Sequence, residues 1–262
     1  LTATPTTVRE SYPSGGKTRA QGAAQPLIAV AHGSRDPRSA ATIHAAVEQI
    51  RIARPDLDVR LAFLDLNAPS IDCVVDGVVA DGYREAVVVP LLLGSAFHAR
   101  VDLPAILARH SRLSLTQSDV LGSDPLLVDA VRDRILEAGV DLDDETVGVA
   151  VAAVGSSSAS ANHKTDGIAR LVAQGTAWTA KTCFATTEPG VTDAVASLRA
   201  AGAQRIVVAP WFLAPGLLTD RVTALSPNTL HANTIGTHPA LAEVAIARYD
   251  RALAELADRI SA

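Results

Sequence analysis

The chain alternates short apolar runs with longer stretches in which apolar residues recur every three or four positions, the pattern of strands followed by covering helices. Leu27 to Ala31 is the first run; a turn through Gly33 to Asp36 leads to a helix opened by Pro37, with Ala40, Ile43, Val47 and Ile50 on one face. Arg54-Pro55 stops this helix, and Val59 to Leu64 reads as the next strand. From Pro69 or Ser70 a helix carries Ile71, Val74, Val75 and Val78 toward Gly82. A strand over Ala86 to Leu92, a helix from Val101 to Arg109, a short strand near Leu115 to Gln117 and a helix from Pro125 to Glu137 follow. Runs this continuously apolar predict strands buried on both faces, hence a parallel sheet between two helical layers.

Four acidic side chains in the five positions Asp141 to Glu145 interrupt the pattern, and then it restarts. Val147 to Val154 reads as a strand, Ala159 to Val172 as a helix, Ala180 to Phe184 as a strand, Val191 to Gly202 as a helix and Arg205 to Pro210 as a strand. The interval from Pro69 to Pro90 equals that from Pro189 to Pro210, with Gly82 and Gly202 at matching places. Gly122-Ser123-Asp124-Pro125 is echoed by Gly236-Thr237-His238-Pro239. This punctuation predicts an internal duplication: two similar three-layer α/β lobes, residues 26–140 and 147–262, each with a central parallel sheet. Residues 1–25 are polar, lack an apolar signal core and read as a disordered tail in the cytoplasm.

Two histidines stand just after predicted strands, His32 in Ala31-His32-Gly33-Ser34-Arg35-Asp36-Pro37 and His98 in Pro90-Leu91-Leu92-Leu93-Gly94-Ser95-Ala96-Phe97-His98. If both strands share one parallel sheet, the imidazoles converge at its carboxyl edge, where open α/β proteins bind ligands. Aligning Gly33-Ser34 with Gly155-Ser156 puts Val154 opposite His32, and the same comparison puts Leu218 opposite His98. A histidine that merely fills a strand end is expected in both copies, whereas one used for chemistry can be lost from a copy kept for structure. Imidazole suits both a borderline divalent metal and a proton near neutral pH. Two imidazoles without a third strong ligand would hold a metal loosely enough to hand it on. The competing reading gives each histidine a local role, bonding its turn or capping a helix.

The net charge of -5 offers no electrostatic case for nucleic acid or an anionic membrane, and no apolar stretch reaches the length of a membrane span. Cys73 and Cys183 lack metal-site spacing and read as two buried free thiols. Ser156-Ser157-Ser158 reads as a polar turn before a helix rather than a phosphate loop. The apolar passage Trp211 to Leu218 reads as core or interlobe packing, with a cleft wall as the sharper alternative.

The block at 32–35 together with Pro90-Leu-Leu-Leu-Gly-Ser-Ala-Phe-His98-Ala-Arg-Val-Asp102-Leu-Pro104 resembles the class II, ATP-independent tetrapyrrole chelatases, the sirohydrochlorin ferrochelatases and cobaltochelatases of sirohaem and cobalamin biosynthesis. The resemblance covers nearly everything after residue 26, including the two-copy layout of the long forms. It implies a chelatase-like fold of two α/β lobes enclosing a macrocycle cleft, and a lyase that inserts Fe2+ or Co2+, with Ni2+ a further candidate, into sirohydrochlorin. It implies that His32 and His98 bind the incoming metal and help remove the pyrrole protons, that Asp65 is the nearest candidate for an assisting acid, and that Phe97 packs on the macrocycle. Arg35, Arg38 and Arg100 are candidate partners for the eight substrate carboxylates. No organic cofactor, nucleic acid or membrane partner is implied, and one chain supplies both lobes, so a monomer suffices. A carrier that binds metal or tetrapyrrole without inserting it is the alternative.

Overall fold

A computed structural model describes residues 24–94 and 101–261. The expected tail lies, up to residue 23, outside the described residues, as do Phe97, His98 and Arg100. The first half forms β1 (Leu27–Ala31), α1 (Pro37–Ala53), β2 (Val59–Phe63), α2 (Ile71–Ala80), β3 (Glu85–Pro90), α3 (Leu103–Leu107), β4 (Ser114–Gln117) and α4 (Pro125–Glu137). The second forms β5 (Val147–Ala153), α5 (Ala159–Ala173), β6 (Thr179–Phe184), α6 (Val191–Ala200), β7 (Arg205–Pro210), α7 (Leu217–Leu225), β8 (Leu230–His231) and α8 (Pro239–Ser261). Each half makes a four-stranded parallel sheet, ordered β2-β1-β3-β4 and β6-β5-β7-β8.

Local chemistry sets the helix starts. Asp36, Ser70, Asp124 and Ser158 each accept a backbone N–H of the first turn that follows, and Pro37 and Pro125 occupy first helical positions where no hydrogen bond is lost. The duplication extends to backbone detail. Gly33 and Gly155, Gly82 and Gly202, and Gly122 and Gly236 all have positive φ, and the bonds before Pro69 and Pro189 are both cis. The helix expected from Val101 to Arg109 is regular only over Leu103–Leu107, because the chain tightens into turn bonds from Arg109 and His110 back to Ile106 and Leu107. Helices α7 and α8 lie beyond the last element read from the sequence, which ends at Pro210.

Alternate residues of each strand enter different cores. Ile28, Val30, Ala62 and Val88 face α2 and α3, and Ala150, Ala152 and Val208 face α6 and α7. The opposite faces, with Leu27, Ala29, Leu61, Val87 and Val89 on one sheet and Val147, Val149, Val151 and Val207 on the other, join one continuous core between the sheets. Four helices fill that middle layer, and the last helix of each half crosses over. Helix α8 packs on α1, β3 and β4, and α4 packs on α5 and β7.

Two arginines at matching positions seal the exchange. From α4, Arg134 donates through Nε to the Thr234 carbonyl at 3.2 Å and through Nη2 to that of Ile235 at 3.1 Å. From α8, Arg248 donates to the carbonyls of Val120 at 3.0 Å and Leu121 at 2.8 Å, and it also pairs with Asp124. Each guanidinium thus satisfies the loop that precedes the other half's last helix. Tyr249 of α8 donates to the Gln25 carbonyl at 2.6 Å, ordering the entry to β1.

Trp211 is buried in the shared core with Leu213 and Ala214 packed against it, in line with the packing reading of that passage. Among the described residues, no helix is long and apolar enough to cross a membrane. The expectation of two buried thiols is half wrong. Cys183 is buried, but Cys73 is exposed, because the buried face of α2 is set by Ile71, Val74, Val75 and Val78 and Cys73 lies off it.

Burial pushes the Cys183 thiol up to about 12, so iodoacetamide at mildly alkaline pH is expected to modify the folded chain at Cys73 alone and to reach Cys183 only after denaturation, as intact mass will read. Arg134→Ala and Arg248→Ala are each expected to lower the unfolding free energy in urea by about 2 kcal/mol, the scale of charged donors on carbonyls. Lysine at either position should restore little, since a point charge cannot span two carbonyls as the fork does.

Candidate functional site

In both sheets the chain passes from the first strand to one neighbour and then back to the other side, so the first sheet has its switch point between β1 and β3. His32 leaves the end of β1. The segment leading to His98 leaves the adjacent β3, with Val30 paired to Pro90 and the Leu91 N–H donating to the Val30 carbonyl at 2.8 Å. This is the crevice position at which open α/β sheets take ligands.

The turn carrying His32 is built by close backbone approach. The Asp65 N–H donates to the His32 carbonyl at 3.0 Å, so the ends of β1 and β2 stay paired beyond the strands. Gly33 has φ of 97°, and a Cβ there would stand 1.8 Å from the Asp65 carbonyl oxygen, so only glycine fits. The Ser34 N–H donates to Asn67 Oδ1 at 2.6 Å, and the Asp36 N–H donates to Ser34 Oγ at 3.1 Å. The His32 ring is exposed, with Nδ1 lying 3.3 Å from the Gly33 carbonyl. Protonation at Nδ1 is the tautomer that satisfies that contact.

Asp65 is exposed, and its carboxylate accepts the Leu66 N–H at 2.7 Å. Its main chain is bonded directly to His32, which puts the candidate acid at the same sheet edge. Arg35 is exposed on the turn. Arg38 is already engaged: its guanidinium donates to Asp36 through Nε and Nη2 and, across the lobes, to Asp220 of α7 at 2.5 Å. The guanidinium holds the Asp36 carboxyl below the usual carboxylate range, helped by the Arg38 backbone N–H. Phe97, His98 and Arg100 lie outside the described residues. Among the described residues no three histidine, cysteine or acidic side chains cluster as a metal cage.

The second half repeats the turn without its chemistry. Val154 takes the place of His32 before Gly155, and the Thr186 N–H donates to the Val154 carbonyl at 3.0 Å just as Asp65 serves His32. Thr186 also donates its hydroxyl to that carbonyl at 2.7 Å, so histidine and acid are both absent from the second sheet edge. Four of the five remaining histidines have contacts of their own. His44 stacks obliquely on Phe63, His110 meets Asp72, His231 meets Thr229, and His238 meets Asp133. An open groove of about 810 Å³ along α5 and β6, bordered by Asp166, Arg170 and Lys181, includes no histidine.

Asn67, Asp36 and Asp220 are the residues of this site that the sequence pattern did not single out. A helix-capping aspartate before Pro37 is legible in retrospect; the clamp from Asn67 and the contact from Asp220 join positions distant in sequence and carry no local signal.

The CbiX family model matches residues 26–138 and 148–252. A sirohydrochlorin ferrochelatase of Priestia megaterium is 26% identical over 234 residues, covering 83% of this chain and 86% of the relative. A sirohydrochlorin cobaltochelatase of the same organism is 27% identical over 208 residues, covering 75% of this chain and 66% of the relative. The solved structure of SirB from Bacillus subtilis with Fe3+ matches with a TM-score of 0.74 at 25% identity, covering 87% of this chain and 95% of that one.

Gly33→Ala is expected to destabilise the protein by about 3 kcal/mol through combined clash and backbone strain. Gly82→Ala, at a φ of 86° with nothing within 4 Å of the added carbon, should cost only about 1 kcal/mol. Urea unfolding of the two variants side by side checks the difference.

Proposed function

Because the chain belongs to the CbiX family, we propose that it inserts Fe2+ or Co2+ into sirohydrochlorin without ATP, with release of two protons. The observation that carries this reading is the placement of His32 at the switch point of the first sheet, beside the strand that leads to His98. The names of the relatives and the ion bound to SirB support iron and cobalt; nickel has no such support.

In the proposed reaction the metal is a substrate. His32 and His98 hold the incoming ion above one face of the macrocycle, and water completes its shell. Two neutral nitrogen ligands bind a borderline ion far less firmly than the closed four-ligand cages of structural sites, so the ion can pass to the four macrocycle nitrogens. As those nitrogens take the ion, two pyrrole N–H protons leave, and the imidazoles of His32 and His98, having given up the metal, are the proposed bases that accept them and pass them to water. Asp65, whose main-chain N–H meets the His32 carbonyl, is proposed as the assisting acid. Arg35, Arg38 and Arg100 are proposed to meet substrate carboxylates, and Phe97 to pack on the ring. Both lobes belong to one chain and the reactants are water-soluble, so the proposed enzyme works as a monomer in the cytoplasm.

The test is an anaerobic assay of purified protein with metal-free sirohydrochlorin and each metal in turn, following the change in absorbance. An enzyme must turn over many equivalents faster than the spontaneous reaction, and His32→Ala or His98→Ala should lower kcat by about a hundredfold or more, the usual weight of a positioned acid–base group. Stoichiometric binding with an unaccelerated insertion rate would instead identify a carrier.

A further inference from the structure

Arg38 was expected to serve the substrate, yet in the structure it spans the two lobes. Two carboxylates share its guanidinium, and they are not equivalent. Asp36 is only 7% exposed; it caps α1, accepting the Arg38 N–H at 2.9 Å and the side chain at both Nε and Nη2. It is part of the helix start and holds the arginine in a fixed orientation. Asp220 is 53% exposed, comes from the other lobe, and makes one contact, to Nη2.

The location ties this pair to the site. Arg38 stands in the first turn of the helix that begins at the His32 loop, and the start of α7 abuts the same loop: a Cβ on Gly216 would lie 3.8 Å from Asp36 Cβ and 3.9 Å from Ser34 Oγ. The ion pair therefore places the negative charge of Asp220 beside the turn that follows His32. A polycarboxylate arriving there competes with Asp220 for the guanidinium that Asp220 occupies.

We propose that Asp220 is a stand-in for a substrate carboxylate: it holds Arg38 across the lobes in the ligand-free protein and is displaced from Nη2 when a carboxylate of the tetrapyrrole binds. The inference rests on the reading of sirohydrochlorin as substrate. Exchange is feasible because an exposed pair of this kind is weak and screened, whereas Asp36 stays in place and keeps the arginine oriented for its new partner. Asp220 is thus a positioning residue that reports substrate arrival to the second lobe, and it sets affinity for the polyanion by competing with it.

The prediction has an unusual sign. Titration of the protein with metal-free sirohydrochlorin, read by quenching of tryptophan fluorescence, is expected to give Asp220→Asn a Kd about two- to fivefold lower than wild type, the range open to an exposed ion pair. Asp220→Ala should shift Kd in the same direction. Arg38→Ala should raise Kd, and adding Asp220→Asn to Arg38→Ala should have no further effect. A thermal melt confirms that each variant folds. An unchanged or raised Kd in both Asp220 variants, or a decrease that survives loss of Arg38, overturns the inference while leaving the chelatase reading intact. Failure of the wild-type protein to bind sirohydrochlorin overturns both.

Discussion

Both sheets of this chain are apolar on both faces, and neither half covers the inner face of its own sheet unaided. The first sheet is completed by α8 from the end of the chain and the second by α4 from the middle, so the inner layer of helices is common property. Arg134 and Arg248 make this exchange specific, because each places a charged donor fork on two successive carbonyls of the other half's loop. The two carboxyl edges are consequently held in a defined relation rather than joined by a hinge at Asp141 to Glu145.

That relation gives the second half a purpose despite its missing histidines. It lacks His32's imidazole, replaced by Val154, and Asp65's carboxylate, replaced by Thr186. What it retains is the scaffold around the first site: α8 against β3 and β4, the start of α7 against the Ser34–Asp36 turn, and Asp220 against Arg38. In the proposed reading one half supplies the chemistry and the other fixes the surface beside it.

The site itself depends on a few backbone contacts of high precision. Gly33 lets the β1 turn touch the Asp65 carbonyl, Asn67 holds Ser34, and Asp36 starts the helix that carries Arg38. The histidine rides on this framework.

The sequence by itself determined the alternation of strands and helices, the duplication, and the position of His32 at a strand end, because these follow from local periodicity and from turn chemistry at Gly33, Pro37, Pro125 and the paired prolines. It also exposed the asymmetry of the two copies, since Val154 can be compared with His32 position by position. It did not determine that α4 and α8 trade sheets, because an apolar stripe encodes that a face is buried and not which surface buries it. Cys73 shows the same limit in miniature, for its neighbours on α2 are apolar and only the rotation of the helix against its sheet left the thiol outside. The meeting of Arg38 with Asp220 was decided wholly by tertiary structure: charged side chains carry no periodic signal, and only the packing of one lobe's turn against the other's helix start brings residues so distant in sequence within hydrogen-bonding distance.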